Sequence, residues 1–417
     1  MRAVGIVAEY NPFHNGHRFH VEETRRQAGD AAIVAVMSGN FVQRGEPALF
    51  DKWTRAEMAV RGGVDVVLEL PAAFAVRSAQ FFAGGAVRLL HSLGVVDRLS
   101  FGAEHPELGA LRRLAAAIGD EAVRTVMRER LDAGETYAAA LGRSLAAASG
   151  LPPAMVASPN NILAVEYLRA IERYAPTMAP CPIARRAAHY HDRDVTGEVA
   201  SATAVRGALL AGRTEVAYGA MPVACREVAE RCLAEGHGPV AWGELGLVLL
   251  AALRRASVAE LAELPDVSEG LEFKLKAAGG AGSLEELWSI LKSKRYSLTR
   301  LQRMMVHALL MTRRAEVAAW EESGPLYARV LSFGERGRRL LRTVARRATV
   351  PVVTKTTHFL HGRELYGSEL TPLQGMLALD TLATDVYSLG MPKAEWRRGG
   401  RDFRQSPLYV VCPPGVV

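Results

Sequence analysis

The chain has 417 residues, 49% hydrophobic and 23% charged, with a formal charge of +7. This is the composition of an ordinary soluble globular protein long enough for two or three units, and Arg, Glu, Asp or Gly interrupts every apolar run before the roughly 18 to 20 residues that a membrane span needs. Cys181, Cys225, Cys232 and Cys412 form no C-x-x-C pair, which argues against a disulfide framework or a zinc site, and the excess of positive charge is compatible with a polyanionic partner.

In chain order, short apolar runs alternate with helix-compatible stretches: 4–8 then 16–28, 32–37 then 52–62, 64–70 then 78–93, and 99–101. The first run ends in Glu9-Tyr-Asn-Pro12 without a small-residue cleavage site, so it reads as a buried strand and not a signal peptide, and the cytoplasm is the expected compartment. Runs that are apolar throughout, alternating with helices, predict an α/β fold with a doubly wound parallel sheet. Residues 105–150, rich in Ala, Leu and Arg at helical spacing, predict a helical excursion before a further strand near 178–184. From about 216 the pattern is helical, over 243–257, 284–291, 298–312, 337–345 and 370–387, with one short strand at 351–355. A boundary is expected among the glycines and prolines of 210–240, giving a nucleotide unit over 1–215 and a basic helical unit over 216–417.

His14-Asn-Gly-His17 falls where the first strand gives way to a helix, the crevice in which open α/β sheets bind ligands. Gly16 permits close backbone approach to a phosphate, the helix start offers free N–H groups, and imidazoles three residues apart face one side. Ser201, Thr203 and Arg206 form a second element, two hydroxyls and a guanidinium ahead of the helical stretch 207–211. Together they suit phosphoryl or nucleotidyl chemistry, in which the protein chiefly positions groups and stabilises charge.

This H-x-G-H and S-x-T-x-x-R pair resembles the signature of the HIGH-type nucleotidyltransferases, which have a Rossmann-like fold. The longer strings Gly5-Ile-Val-Ala-Glu-Tyr-Asn-Pro-Phe-His14, Met37-Ser-Gly-Asn-Phe-Val-Gln-Arg-Gly-Glu-Pro47, Ser158-Pro-Asn-Asn-Ile-Leu163, Lys294-Arg-Tyr-Ser-Leu-Thr-Arg-Leu-Gln-Arg303 and Asp380-Thr-Leu-Ala-Thr-Asp385 are similar to the bacterial tRNA(Met) cytidine acetate ligases over nearly the whole chain. The resemblance implies an enzyme that forms acetyl-adenylate from acetate and ATP and acetylates the wobble cytidine of elongator tRNA(Met). It assigns ATP contacts to the loop Val7, Ala8, Glu9, Tyr10, Asn11, Pro12, Phe13, His14, Asn15, Gly16, His17, Arg18, Phe19 and His20, to Gly102, to Asn160 or Asn161, and to Arg185 or Arg186. His14, His17, Ser201, Thr203 and Arg206 would be the catalytic set, with Mg2+ expected to accompany the triphosphate. The chain departs from the family at Val42, where Thr is common, and in its Arg185-Arg186 doublet.

The remaining candidates rest on local chemistry. Gly102 follows a strand; one of Asn160 and Asn161 would cap the next helix while the other faces nucleotide; Ser38, Gly39 and Asn40 end a strand and could hold acetate or the adenylate, with Gln43 and Arg44 nearby. Lys52 and Arg55 open the next helix, where a solvated position is as expected as a role. His189, His191 and Asp192 lack a distant third ligand, so no metal site is assigned, and Lys292-Ser-Lys294 is set aside as a lookalike of a synthetase lysine loop. Lys294, Arg295 and Arg300 in one basic cluster, and Arg338, Arg342 and Arg346 at i+4 spacing in another, could track tRNA phosphates; Trp396 to Arg404 mixes aromatics with Arg as unpaired bases favour. The basic helical half speaks against an adenylyltransferase for a small molecule, and the intact histidine pair against a non-catalytic RNA-binding protein.

Overall fold

The computed structural model describes the whole chain except residues 136, 153–154, 157, 186–199, 294–295, 367–368 and 412–417. In the first half β1 (Ala3–Ala8), α1 (Asn15–Ala28), β2 (Ala32–Ser38), α2 (Lys52–Arg61), β3 (Val66–Leu70), α3 (Ala72–Ala75), α4 (Ala79–Ser92) and β4 (Val96–Ala103) follow the predicted alternation. The excursion is α5 (Leu108–Gly119), α6 (Glu121–Asp132) and α7 (Tyr137–Ser149), after which α8 (Pro159–Tyr174), β5 (Ala179–Ala184) and α9 (Ala202–Leu210) complete the region.

The strands form one sheet in the order β5-β4-β1-β2-β3, all parallel, with β1 between β4 and β2. The chain leaves β1 toward β2 on one side and returns to β4 on the other, so a crevice opens at the carboxyl ends of β1 and β4. β1 to β3 are covered on both faces and carry apolar residues almost without interruption. One face packs Phe82, Ala86 and Leu90 of α4 on Val34, Val36, Val66 and Leu68; the other packs Trp53, Ala56 and Ala59 of α2 with Val21 of α1 on Ile6, Ile33, Ala35 and Met37.

The second half is helical: α10 (Thr214–Gly219), α11 (Val223–Ala234), α12 (Trp242–Arg255), α13 (Val258–Ala262), α14 (Leu271–Ala278), α15 (Leu284–Leu291), α16 (Leu298–Leu310), α17 (Arg314–Ser323), α18 (Glu335–Arg347), α19 (Pro372–Ser388) and α20 (Arg401–Arg404). It also returns to the sheet. β6 (Ala328–Phe333), which the pattern did not reveal, lies antiparallel to β3, and β7 (Val352–Val353) and β8 (Leu408–Tyr409) both add to its outer edge. One apolar cluster therefore runs from Val34 and Phe82 through Leu301 and Met305 to Leu377 and Tyr387.

Polar ties reinforce that junction. Lys52, fully buried, donates to Glu69 at 2.8 and 2.9 Å and to Asp402 at 2.8 Å, while Arg329 pairs with the same two carboxylates. Of the two alternatives left open for Lys52 and Arg55, the solvated position is excluded here. Arg55 is also fully buried, and its guanidinium donates to the carbonyls of Phe50 (2.9 Å), Glu9 (2.5 Å), Ser38 (3.0 Å) and Gly39. One side chain thereby pins the loops that follow β1 and β2, since buried carbonyls must find donors.

Candidate active site

A cavity of about 440 Å³ opens at the ends of β1 and β4, within the roughly 300–1,000 Å³ typical of small-ligand sites. Its walls are Val7, Ala8, Glu9 and Tyr10 from the end of β1; His14, Gly16, His17, Phe19 and His20 from the start of α1; and Phe101 and Gly102 from β4. Asn160 and Tyr167 of α8, Arg185 after β5, and Ser201, Thr203 and Arg206 at the start of α9 close it.

His14 is the N-cap of α1. Its Nδ1 accepts from Gly16 N at 3.0 Å, and His17 Nδ1 accepts from His14 N at 3.3 Å, a reciprocal capping box built from imidazoles. Both rings therefore carry their proton on Nε2 when neutral. The ring centroids are 3.8 Å apart. Burial first, then the Arg185 and Arg206 guanidiniums, push His14 down to about 3; burial, His14 and Arg185 hold His17 well below the usual imidazole range; burial and Arg185 push His20 down to about 4. The site thus presents neutral N–H donors at pH 7. His20 Nε2 also bonds Ser100 Oγ at 3.0 Å.

The second element begins its helix earlier than the pattern suggested: Ser201 is the N-cap of α9, its Oγ accepting from Ala204 N at 3.1 Å. Arg206 Nη1 donates to Asn11 O at 2.9 Å, which ties the guanidinium to the loop after β1. The N-termini of α1, α8 and α9 and three arginines, Arg44, Arg185 and Arg206, line one cavity, an arrangement that favours anionic ligands.

The structure separates several paired expectations. Asn160 lines the cavity, whereas Asn161 is buried and its amide is taken up by His105 N (3.2 Å) and Met155 O (2.8 Å). Neither is the cap of α8. Ser158 holds that position, and Glu104, from the end of β4, accepts from Asn161 N at 3.1 Å and from Asn160 Nδ2 at 2.5 Å. Arg185 lines the cavity, and Arg186 lies outside the described residues.

Other expectations are corrected. Ser38, Gly39 and Asn40 do not reach the cavity. Ser38 and Asn40 are buried, and Asn40 accepts from Lys52 N (2.8 Å) and donates to Thr384 Oγ1 (3.2 Å), so these residues join the sheet to α19. Gln43 and Arg44 line the wall instead. Within the loop of residues 7–20, Asn11, Pro12, Phe13, Asn15 and Arg18 are off the lining: Phe13 is in the core under α2, Asn11 Oδ1 accepts from Leu49 N at 2.8 Å, Asn15 N bonds Ala220 O at 2.9 Å, and exposed Arg18 pairs with Glu22.

The basic candidates disperse. Lys294 and Arg295, like His189, His191 and Asp192, lie outside the described residues. Arg300 Nη2 bonds Asp266 O (2.9 Å) and Ser268 Oγ (3.0 Å), though its neighbour Thr299 lines the cavity, a contact no sequence signal announced. Arg338 and Arg342 are exposed on α18, which starts against Asp65 and Asp30, ahead of β3 and β2, and ends beside Gly94, ahead of β4. That is the opposite end of the sheet from the cavity.

A parallel sheet with paired imidazoles and a late Ser/Thr/Arg helix start at its carboxyl edge defines a nucleotidyl transferase of the HIGH type, and residues 1–402 match the family model described as HIGH Nucleotidyl Transferase. The chain is 40% identical over 416 residues to the tRNA(Met) cytidine acetate ligase of Syntrophomonas wolfei, covering 98% of this chain and 99% of that one. It is also 40% identical over 420 residues to the protein of that name in Syntrophotalea carbinolica, with 98% and 99% covered. Among solved structures it is similar to Thermotoga maritima TmcAL in its apo form I, at a TM-score of 0.91 and 33% identity over 99% of this chain and 100% of that one. The form bound with alpha-thio ATP matches at a TM-score of 0.89. The chain belongs to the tRNA(Met) cytidine acetate ligase family.

Proposed function

We propose that the protein is an ATP-dependent ligase that activates acetate and acetylates the exocyclic amine of the wobble cytidine of elongator tRNA(Met). The observation that carries this reading is the meeting of His14 and His17 with Ser201, Thr203 and Arg206 at two helix N-termini in one cavity, together with the family to which the chain belongs.

In the first step a carboxylate oxygen of acetate attacks the α-phosphorus of ATP, the bond to the β-phosphate oxygen breaks, and pyrophosphate leaves. Charge moves onto the leaving group, and His14, His17, the N-terminus of α9, Arg185 and Arg206 are the groups that would receive it. The neutral imidazoles would act as oriented donors, because their Nε2–H groups are held ready by the Nδ1 capping bonds. In the second step the cytidine amine attacks the acetyl carbonyl, the bond to the AMP phosphate oxygen breaks, and the amine gives up a proton. Magnesium would accompany the triphosphate through its own oxygens.

Residues 1–215 would supply the nucleotide chemistry and residues 216–417 the tRNA contacts, with Lys294, Arg295, Arg300, Arg338 and Arg342 as the candidates for phosphate contacts. A cytoplasmic protein is expected for such a substrate, and among the described residues no helix is long and apolar enough to cross a membrane. Incubation with ATP, labelled acetate and bulk tRNA, followed by nucleoside analysis, tests the proposal. Label in N4-acetylcytidine of tRNA(Met) is the expected result, and label absent from nucleosides, or dependent on no added ATP, overturns it.

A further inference from the structure

We propose that Glu46 is a positioning residue for Arg206, and that through it the helical half sets the phosphate clasp. The inference rests on reading Arg206 as a phosphate ligand and residues 216–417 as the tRNA-binding half.

Glu46 lies in the loop between β2 and α2. One carboxylate oxygen faces Arg206 Nη2 at 3.5 Å; the other accepts from Gln302 Nε2, on α16, at 3.3 Å. The other terminal nitrogen of Arg206 is held by Asn11 O at 2.9 Å, so the guanidinium plane is fixed from two sides, by the loop after β1 and by Glu46. A carboxylate beside an arginine that is to meet a triphosphate repels the ligand. Such a placement is understandable when its work is to orient the guanidinium and not to add attraction.

The loop carrying Glu46 is pressed against the helical half. Gly45 has φ of +76°, and a Cβ there would stand 2.2 Å from Arg303 N and 2.5 Å from the Gln302 carbonyl carbon, so backbone rests on backbone with no room for a side chain. Trp242 of α12 donates to Gly45 O at 3.2 Å. Thr299, in the first turn of the same α16, lines the cavity. One helix thus forms part of the cavity wall and, a turn later, holds the carboxylate that orients the clasp. A shift of α16 when tRNA seats on this half is carried to Arg206 by a two-bond chain, Gln302 to Glu46 to Arg206, and by linkage bound ATP acts back on tRNA affinity.

The test is a double-mutant cycle in the full-length protein with Glu46→Gln, which keeps size but removes the charge and one of the two accepting oxygens, and Arg206→Lys. Acetate-dependent pyrophosphate exchange reads KM for ATP and kcat, calorimetry reads ATP affinity directly, and thermal melting reads the fold. Glu46→Gln is expected to raise KM for ATP about fivefold, the upper end of what a partly exposed ion pair contributes, with kcat and melting temperature little changed. In the Arg206→Lys background it has no further effect, and Glu46→Asp recovers part of the loss. Saturating tRNA shifts ATP affinity in the wild type and not in Glu46→Gln. Additive effects in the cycle overturn the positioning role, and a tRNA-induced shift of equal size in both proteins, zero included, overturns the coupling. Wild-type protein without acetate-dependent exchange counts against the proposed reaction, and the cycle is then decided on calorimetric ATP affinity.

Discussion

On the proposed function His14 has two tasks, one for each ring nitrogen, and substitution can separate them. Nδ1 caps α1 through Gly16 N at 3.0 Å, and the capping bond leaves the Nε2 proton available to a phosphate oxygen. Asparagine is among the best N-cap residues, and its short amide can accept from the same N–H but cannot reach the position of Nε2. His14→Asn is therefore expected to keep the stability of α1 and lose the catalytic donor, whereas His14→Ala loses both. The cap contributes about 1 kcal/mol, and one donor aimed at charge that develops in the transition state contributes ~3 kcal/mol, or 10²–10³ in rate. Acetate-dependent exchange of labelled pyrophosphate into ATP gives the rate, and urea denaturation gives the stability. Both variants should fall at least a hundredfold in exchange, with only the alanine variant losing about 1 kcal/mol of unfolding free energy. The reasoning fails if His14→Asn exchanges within a few-fold of wild type, or if the two variants are equally destabilised.

Three further outcomes follow from other parts of the molecule. Lys52→Met leaves Glu69 and Asp402 buried with only Arg329 between them, and should cost about 3–5 kcal/mol in denaturant titrations; a loss under 1 kcal/mol would mean that the cluster rearranges without penalty. His14 and His20, at about 3 and about 4, sit below the unfolded imidazole near 6.5, so the unfolded chain binds protons first as pH falls. Stability should decline as pH drops from ~6.5 toward 4, by up to ~1.4 kcal/mol per pH unit for each histidine, and a His14→Asn variant should show a shallower slope in denaturation measured across that window. Arg338→Glu with Arg342→Glu, far from the cavity, should weaken tRNA binding and lower the slope of log K against log salt by at least ~1 per arginine while leaving pyrophosphate exchange unchanged; filter binding across a salt series that shows no change removes α18 from the RNA path.

The β/α alternation of the first half was legible because β1 to β3 are apolar almost without interruption and separated by helices with clear starts, and the two elements that meet at the cavity were legible because each stands at a helix N-terminus. β6 was not. Ala328 to Phe333 is six residues of mostly apolar sequence inside an Arg-rich helical region, and so short a run does not reveal its period. Its identity is set by β3, which offers an open edge far upstream. Ser38 to Asn40 misled for a related reason: short polar residues after a strand suit a ligand loop and a buried junction equally, and only the arrival of Thr384 from α19 decides between them. Lys52 and Arg55 share that origin, since the partners that bury them, Asp402 and the carbonyls of Glu9, Ser38 and Gly39, are distant in sequence. Asn160 and Asn161 were separated by Glu104, which no motif flagged.

The antiparallel seat of β6 on β3 also governs how the chain can be made. During synthesis the nucleotide half emerges first, with the outer edge of β3 (Val66–Leu70) unpaired and strongly apolar. That edge stays open to pairing with another nascent chain until residues through Phe333 have left the ribosome. A product truncated between the two halves would therefore be an aggregation hazard and not a smaller enzyme, and its burden on chaperones should fall sharply once translation has passed β6.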